Sequence, residues 1–138
     1  MRYLLDTSAW IRAVLDQQTL PPQMRKIIGD PRENLGLCIF SLWEAAKKHQ
    51  KGKLRLPMEL GAWLQNAIAE NVEILPLTPE IIVDSTRLPS FQINDPADRL
   101  IVATARIHAL TLLTSDTELK SYQHAKIRYF TPIIAAAD

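Results

Sequence analysis

Short apolar runs alternate with helical patterns along this chain of 138 residues, and that alternation restricts the fold more than any other feature. The runs have β-like composition and turn or cap residues at their ends, and they cover residues 3–5, 37–40, 72–77, 110–114 and 127–130. Helical patterns cover residues 8–15, 22–28, 42–51, 58–71, 80–88 and 96–108. Strands that alternate with helices predict an α/β fold: a mostly parallel sheet of about five strands flanked by helices. Because some connections hold two helical segments, we expect the extra helices to form a flap or arm.

The length predicts a single domain over residues 1–138. Hydrophobic residues make up 47% of the chain and charged residues 22%, as in ordinary globular proteins, and the net charge of +1 excludes a protein coated in basic residues for nonspecific nucleic-acid binding. The single cysteine, Cys38, lies in an apolar run and fits a reducing cytoplasm. The sequence pattern predicts no signal peptide and no membrane span.

Four acidic residues each stand where an apolar run gives way to a helix start: Asp6, Glu44, Asp98 and Asp116. The carboxyl ends of parallel strands open onto one edge of the sheet, so we expect these acids to meet in a pocket. A pair of ionised carboxylates about 6 Å apart repels by roughly 3 kcal/mol at an effective dielectric constant of about 20. A divalent cation relieves that repulsion, and oxygen ligands favour Mg²⁺ or Mn²⁺.

Helix capping is the alternative explanation for each acid taken singly. Asp6 is positioned to cap a helix that begins near Ser8, and Ser41 with Glu44 has the spacing of a capping box. Asp95 precedes a proline in the favoured first helical position, which places Asp98 in the first turn. Asp116 or the serine before it is positioned to cap a turn. Capping alone, however, does not require the same kind of residue at successive strand-to-helix junctions.

The chain resembles the PIN-domain nucleases, and specifically the VapC-type toxin ribonucleases of bacterial toxin–antitoxin pairs. The resemblance covers nearly the whole chain in order, spacing and length. It is carried by the segments Leu4-Leu5-Asp6-Thr7-Ser8-Ala9-Trp10, Ser41-x-x-Glu44, Asp95-Pro96-Ala97-Asp98-Arg99-Leu100-Ile101-Val102-Ala103-Thr104-Ala105 and Leu112-Leu113-Thr114-Ser115-Asp116.

The resemblance implies that the catalytic, metal-binding acids are Asp6, Glu44, Asp98 and Asp116, with Asp95 as a less certain fifth. It implies that the hydroxyls of Thr7, Ser8 and Thr114 support the site, although each hydroxyl also suits a turn or cap. Arg99 is placed to touch substrate phosphate or to form a structural ion pair. The implied activity is Mg²⁺- or Mn²⁺-dependent hydrolysis of RNA, in which the metal polarises the phosphoryl group and acidifies a water.

A basic stretch follows Glu44 and is a candidate for RNA binding: Lys47, Lys48, Lys51, Lys53 and Arg55. A solvated helix end explains the same residues. The three tryptophans, Trp10, Trp43 and Trp63, are expected in core or interface packing rather than as platforms for base stacking. The resemblance further implies a cognate antitoxin that covers the acidic pocket, and a homodimer.

Other functions remain open at this point. A phosphotransferase or phosphatase would use Asp6 as the nucleophile, but the second acid usual two residues later is absent, since position 8 is a serine. A binding module switched by phosphorylation would need paired acids near the first strand and a late lysine, which the sequence does not place. A catalytically inactive scaffold is a third alternative.

Overall fold

The computed structural model describes residues 1–134 and contains one five-stranded sheet. The prediction of one domain over residues 1–138 includes residues 135–138, which lie outside this described part. The strands, in chain order, are β1 (Tyr3–Leu5), β2 (Leu35–Cys38), β3 (Val72–Leu75), β4 (Thr111–Thr114) and β5 (Lys126–Tyr129). The helices are α1 (Thr7–Leu15), α2 (Pro22–Ile28), α3 (Ile39–Gln50), α4 (Leu60–Asn66), α5 (Pro79–Thr86) and α6 (Pro96–Ile107), with a short 3-10 helix at Gln17–Thr19.

All strand pairs are parallel, and the strand order is β3-β2-β1-β4-β5. The chain builds the sheet outward from β1 in one direction through β3 and then returns to add β4 on the other side of β1. The junction between β1 and β4 is therefore a topological switch point, where a crevice opens at the carboxyl ends of the strands. The predicted α/β class and parallel sheet are confirmed.

Alternate residues of β1 point to opposite faces of the sheet and anchor two hydrophobic clusters. Leu4 packs with Ile101 of α6 and Ile81 of α5 on one face. Leu5 packs with Trp10 of α1 and Trp63 of α4 on the other. The sheet is thus covered by helices on both sides, as expected for parallel strands.

The extra helix α4 packs against the core, so the prediction of a flap or arm is wrong for this helix. Its Trp63 is 2% exposed and lies 5.3 Å, between ring centroids, from Trp10. The helix is also shorter than predicted: the Glu59 carboxylate caps its start, and the chain leaves it after Asn66. Asn71, predicted to be helical, instead donates side-chain hydrogen bonds to carbonyls of the loop before β2.

A further boundary difference lies at the β2–α3 junction. The strand was predicted at residues 37–40 and the helix from Leu42, whereas the strand ends at Cys38 and the helix begins at Ile39. Apolar residues continue across the junction without a turn residue, so sequence composition does not mark it. Within residues 1–134 no helix has the length and apolar character needed to cross a membrane.

Candidate active site

Asp6 lies at the switch point, directly after β1. Its backbone amide continues the pairing with β4 by donating to the Leu113 carbonyl at 3.0 Å. Its side chain is 6% exposed, and both carboxylate oxygens accept a hydrogen bond, from the Thr7 amide at 2.8 Å and from the Thr114 hydroxyl at 2.6 Å. Asp6 is the N-cap of α1, as the capping explanation predicted, and it is also fixed at the floor of the crevice.

Thr7 connects Asp6 to Glu44. Its hydroxyl donates to Oε1 of Glu44 and lies 2.8 Å from the Ser41 hydroxyl in a second hydrogen bond. The capping-box explanation of Ser41 and Glu44 is therefore wrong: α3 begins at Ile39, and both side chains lie one helical turn apart on the face of α3 that meets α1. Ser41, fully buried, was not predicted as a supporting residue, although its spacing of three from Glu44 was a usable signal.

Asp116 follows β4 and is held by the same threonine that contacts Asp6. The Asp116 amide donates to the Thr114 hydroxyl at 3.0 Å, and the Asp116 carboxylate accepts from the Glu118 amide at 2.9 Å. The predicted turn-capping role is therefore present. Ser8 also reaches this loop, since its hydroxyl lies 3.2 Å from that of Ser115.

The start of α6 brings two further acids to the site. Asp95 is the N-cap, accepting from the amides of Ala97 at 2.8 Å and Asp98 at 3.4 Å, as predicted. Asp98 follows in the first turn and is partly buried.

Among the described residues, Arg99 contacts no carboxylate, although a structural ion pair was one of its two predicted roles. Its guanidinium donates to the backbone carbonyls of Ser85 at 3.1 Å and Phe91 at 3.3 Å, and it lies 5.4 Å from the centroid of the Phe91 ring. These contacts fasten α6 to the last turn of α5 and to the segment that follows α5. Its role in the structure is to hold that segment.

The acids are close enough to alter each other's ionisation. Burial raises the pKa of Asp98 to about 7, and repulsion from four other carboxylates adds to the increase: Asp95, Asp6, Asp116 and Glu44. Burial also raises the pKa of Asp6, against the opposing effect of its hydrogen bonds from Thr114 and Thr7. Burial likewise raises the pKa of Glu44, and Lys48 opposes the increase for both Asp6 and Glu44. Carboxylates from four separate chain segments thus share one electrostatic environment.

The donor set suits a divalent cation. Within residues 1–134 there is no group of three His, Cys, Asp or Glu side chains arranged to hold one ion. Mg²⁺, however, is commonly bound through one or two carboxylates with water and substrate phosphate completing its shell. Asp6 and Asp116, joined through Thr114, are suited to that mode, and a cation offsets the repulsion that raises the pKa of Asp98.

A basic groove adjoins the acids, and four of the five predicted RNA-binding residues line it. The groove has a volume of about 430 Å³ and is lined by Phe40, Trp43, Glu44, Lys47, Lys48, Lys51, Lys53, Asp95, Pro96 and Ala97. Arg55 is exposed but does not line the groove. The groove therefore leads from a lysine-rich surface to two of the acids, Glu44 and Asp95.

Two of the three tryptophans are core residues, as predicted. Trp10 is 1% exposed and donates from its indole nitrogen to the Ala67 carbonyl at 2.9 Å, and Trp63 packs against it. Trp43 differs: 54% of its surface is exposed at the edge of the groove. The prediction for the tryptophans was core or interface packing, and core packing is wrong for Trp43, because it lies on the solvent side of α3.

Comparisons with known proteins agree with this architecture. The PIN domain family model matches residues 3–125. The chain is 35% identical over 94 residues to Ribonuclease VapC22 of Mycobacterium tuberculosis, covering 68% of this chain and 72% of the relative. The match to the DNA-bound VapBC structure from Salmonella typhimurium covers 94% of this chain and 98% of that chain, with a TM-score of 0.72 at 16% identity. The DNA-bound VapBC2 structure from Rickettsia felis has the same coverage and identity with a TM-score of 0.69. At such identities the structural likeness shows the fold alone.

Proposed function

Because this chain belongs to the PIN domain family, we propose that it is a metal-dependent endoribonuclease and the toxin of a toxin–antitoxin pair. The name of the 35% identical relative, a ribonuclease, supports the activity. A toxin–antitoxin complex from Klebsiella pneumoniae has the same fold over 91% of this chain, with a TM-score of 0.63 at 14% identity, and it supports the biological role.

One observation carries the chemical part of the proposal: a continuous set of hydrogen bonds connects acids from three chain segments. Asp116 is bonded to Thr114, Thr114 to Asp6, Asp6 to the Thr7 amide, and the Thr7 hydroxyl to Glu44. Oriented carboxylates of this kind are what a catalytic cation requires, since hydrogen-bond partners behind the ligands fix their geometry.

We assign Asp6 and Asp116 as the residues that would hold Mg²⁺ or Mn²⁺, with Asp98 and Glu44 orienting water. Such a cation, when bound, polarises the phosphodiester and lowers the pKa of a water. The chain's own contributions are positional. Thr114 holds the Asp6 carboxylate and the Asp116 amide, and the Thr7 hydroxyl holds the Glu44 carboxylate. Asp95 holds the start of α6, which carries Asp98, and we propose that the lysines of the groove bind RNA phosphates.

The structure favours this reading over a phosphotransferase with Asp6 as the nucleophile. Both carboxylate oxygens of Asp6 are occupied by hydrogen bonds, and the side chain is 6% exposed. Ser8, at the position where such enzymes need a second acid, bonds to Ser115 instead. The absence of that second acid argues against a phosphotransferase mechanism at Asp6.

The toxin assignment brings two proposed partners and a location. A cognate antitoxin would cover the acidic pocket and present a basic side chain to it, which the mutual repulsion of the carboxylates favours. A second copy of the chain would form a homodimer. We propose a cytoplasmic location, which RNA as the substrate and the free, buried thiol of Cys38 both support.

The test is a cleavage assay on end-labelled RNA with purified protein in Mg²⁺ or Mn²⁺, with and without EDTA. Asp6→Asn, Asp98→Asn and Asp116→Asn should each abolish cleavage while circular dichroism shows an intact fold. The proposal would be overturned by undiminished cleavage in EDTA, or by Asp6→Asn protein that cleaves as well as the wild type.

A further inference from the structure

Trp43 is the exposed member of the three tryptophans. The side chain lies on α3 one residue before Glu44, and 54% of its surface is exposed, against 1% for Trp10 and 2% for Trp63. Covering a large aromatic ring with a ligand recovers the free energy of burial that its exposure forgoes, so this ring is a candidate ligand contact.

Two neighbours hold the indole ring in place. The Phe40 ring lies 5.1 Å away between centroids at an interplanar angle of 34°, and it is itself partly buried against the core. The Lys47 ammonium lies 5.7 Å from the Trp43 ring centroid, in cation–π range. The ring is therefore supported from the protein side and has a cation beside it.

The lining of the groove indicates what kind of ligand covers this ring. Four lysines line the groove with Trp43: Lys47, Lys48, Lys51 and Lys53. An aromatic ring among cations suits single-stranded nucleic acid, because bases stack on the ring while phosphates meet the ammonium groups. A basic protein segment, such as one that neutralises the acidic pocket, would be repelled by the same lysines.

We propose that Trp43 stacks on an unpaired base of the RNA substrate and so positions the strand for cleavage. The inference rests on the proposed function. Because Glu44 is the next residue and also lines the groove, a base stacked on Trp43 brings its neighbouring phosphates toward the acids. Lys51 and Lys53 hold phosphates farther along the strand. Cleavage then requires a single-stranded segment, since a base paired within a duplex cannot cover the ring.

The test measures binding without cleavage, in EDTA, by the intrinsic tryptophan fluorescence of the full-length protein. The probe is a mixed-sequence single-stranded RNA of about 12 nucleotides, compared with the same strand annealed to its complement. We expect the single strand to quench the emission of the exposed tryptophan, and the duplex to quench it far less. Trp43→Ala should weaken single-strand binding roughly 5- to 100-fold, as measured by anisotropy of a labelled probe.

Matched variants separate stacking from charge. Trp43→Phe keeps a ring and should retain most of the affinity while losing the fluorescence quench. Lys51→Ala should reduce the slope of log affinity against log salt concentration by about 0.7, as loss of one phosphate contact requires. Lys26→Ala, which removes an exposed lysine of α2 outside the groove, should leave the slope unchanged.

The proposal fails if Trp43→Ala binds the single strand as tightly as the wild type, or if RNA leaves the wild-type emission unchanged. It fails equally if Trp43→Ala disrupts only dimerisation or antitoxin binding, since the ring would then be a protein interface. The binding measurements do not depend on catalysis. If the wild-type protein does not cleave RNA, the proposed function is overturned, and the binding measurements still decide the role of Trp43.

Discussion

Thr114 Oγ1 donates a 2.6 Å hydrogen bond to Oδ2 of Asp6 across the junction between β1 and β4. The same hydroxyl accepts the amide of Asp116 at 3.0 Å. A single buried side chain therefore orients the acid that follows β1 and fixes the backbone of the acid that follows β4. The hydroxyl thus acts as both donor and acceptor.

Thr114→Val should damage the site with little change of shape. The valine leaves a buried oxygen of Asp6 and the amide of Asp116 without their partner, which costs about 1–3 kcal/mol of unfolding free energy. Loss of a residue that orients a metal ligand typically lowers metal affinity or activity about 10- to 100-fold. Urea unfolding and a Mn²⁺ titration would measure the two effects. Thr114→Ser, which keeps the hydroxyl, should retain most of both, and equal losses in the two variants would refute the assigned role.

Thr7→Val should uncouple Glu44 from Asp6. The Thr7 hydroxyl donates to Glu44, while the Thr7 amide, which remains in the variant, donates to Asp6. We therefore expect cleavage to fall by roughly 10-fold or more through Glu44 alone. In a double-mutant cycle with Glu44→Gln, the double variant should be little worse than Glu44→Gln itself. Fully additive losses in cleavage rate would show that the hydroxyl does not act through Glu44.

The sequence predicted the sheet well, and also that Asp6 and Asp116 lie near one another, because both follow from local patterns. The bounds of β1 match the predicted 3–5, and α6 begins at the predicted Pro96, since the cap residue Asp95 and the proline both mark its start. Placing Asp6 beside Asp116 required only that parallel strands end at one edge.

The failures arose where tertiary contacts override local signals. Ser41 has the sequence of a cap, yet α3 begins two residues earlier, and its hydroxyl bonds to Thr7, 34 positions away in the sequence. The exposure of Trp43 depends on which face of α3 meets its neighbours, and hydrophobicity alone predicted burial. An acidic partner was one prediction for Arg99. Arg99 instead binds backbone carbonyls, which every residue has, so the sequence does not show which residues accept its hydrogen bonds.

Arg99→Ala should reduce stability rather than RNA binding. The variant removes two charged hydrogen bonds to the carbonyls of Ser85 and Phe91, and such bonds contribute about 1.5–3 kcal/mol each at most. We expect the free energy of unfolding to fall by about 2 kcal/mol in urea titrations. Arg99→Lys should restore little of it, because an ammonium group lacks the planar fork that reaches both carbonyls. A salt dependence of RNA binding that is reduced in Arg99→Ala and kept in Arg99→Lys would instead indicate a phosphate contact.

Asp98 contributes to the pH dependence of stability in the metal-free protein, together with Asp6 and Glu44, whose pKa values burial also raises. Its folded-state pKa is about 7, raised by burial and by the surrounding carboxylates, whereas its ordinary value is 3.8. Between these two pH values Asp98 is protonated in the folded protein and ionised in the unfolded chain. Its contribution to the free energy of unfolding therefore decreases as pH rises. Below 3.8 both states are protonated, and above about 7 both are ionised, so the decrease is confined to that window.

Asp98→Asn should therefore stabilise the metal-free protein at neutral pH while abolishing cleavage. With the partial exposure of the side chain taken into account, we expect a gain of about 1–2 kcal/mol at pH 7.5 in EDTA, or several degrees in Tm. The gain should vanish near pH 4, where the wild-type carboxyl is protonated. Added Mg²⁺ should stabilise the wild type and narrow the difference, since the cation relieves the repulsion that the amide removes. Thermal melts from pH 4 to 8, with and without Mg²⁺, would measure each effect. A variant no more stable than the wild type at pH 7.5 would show that the carboxylates do not repel as the structure implies.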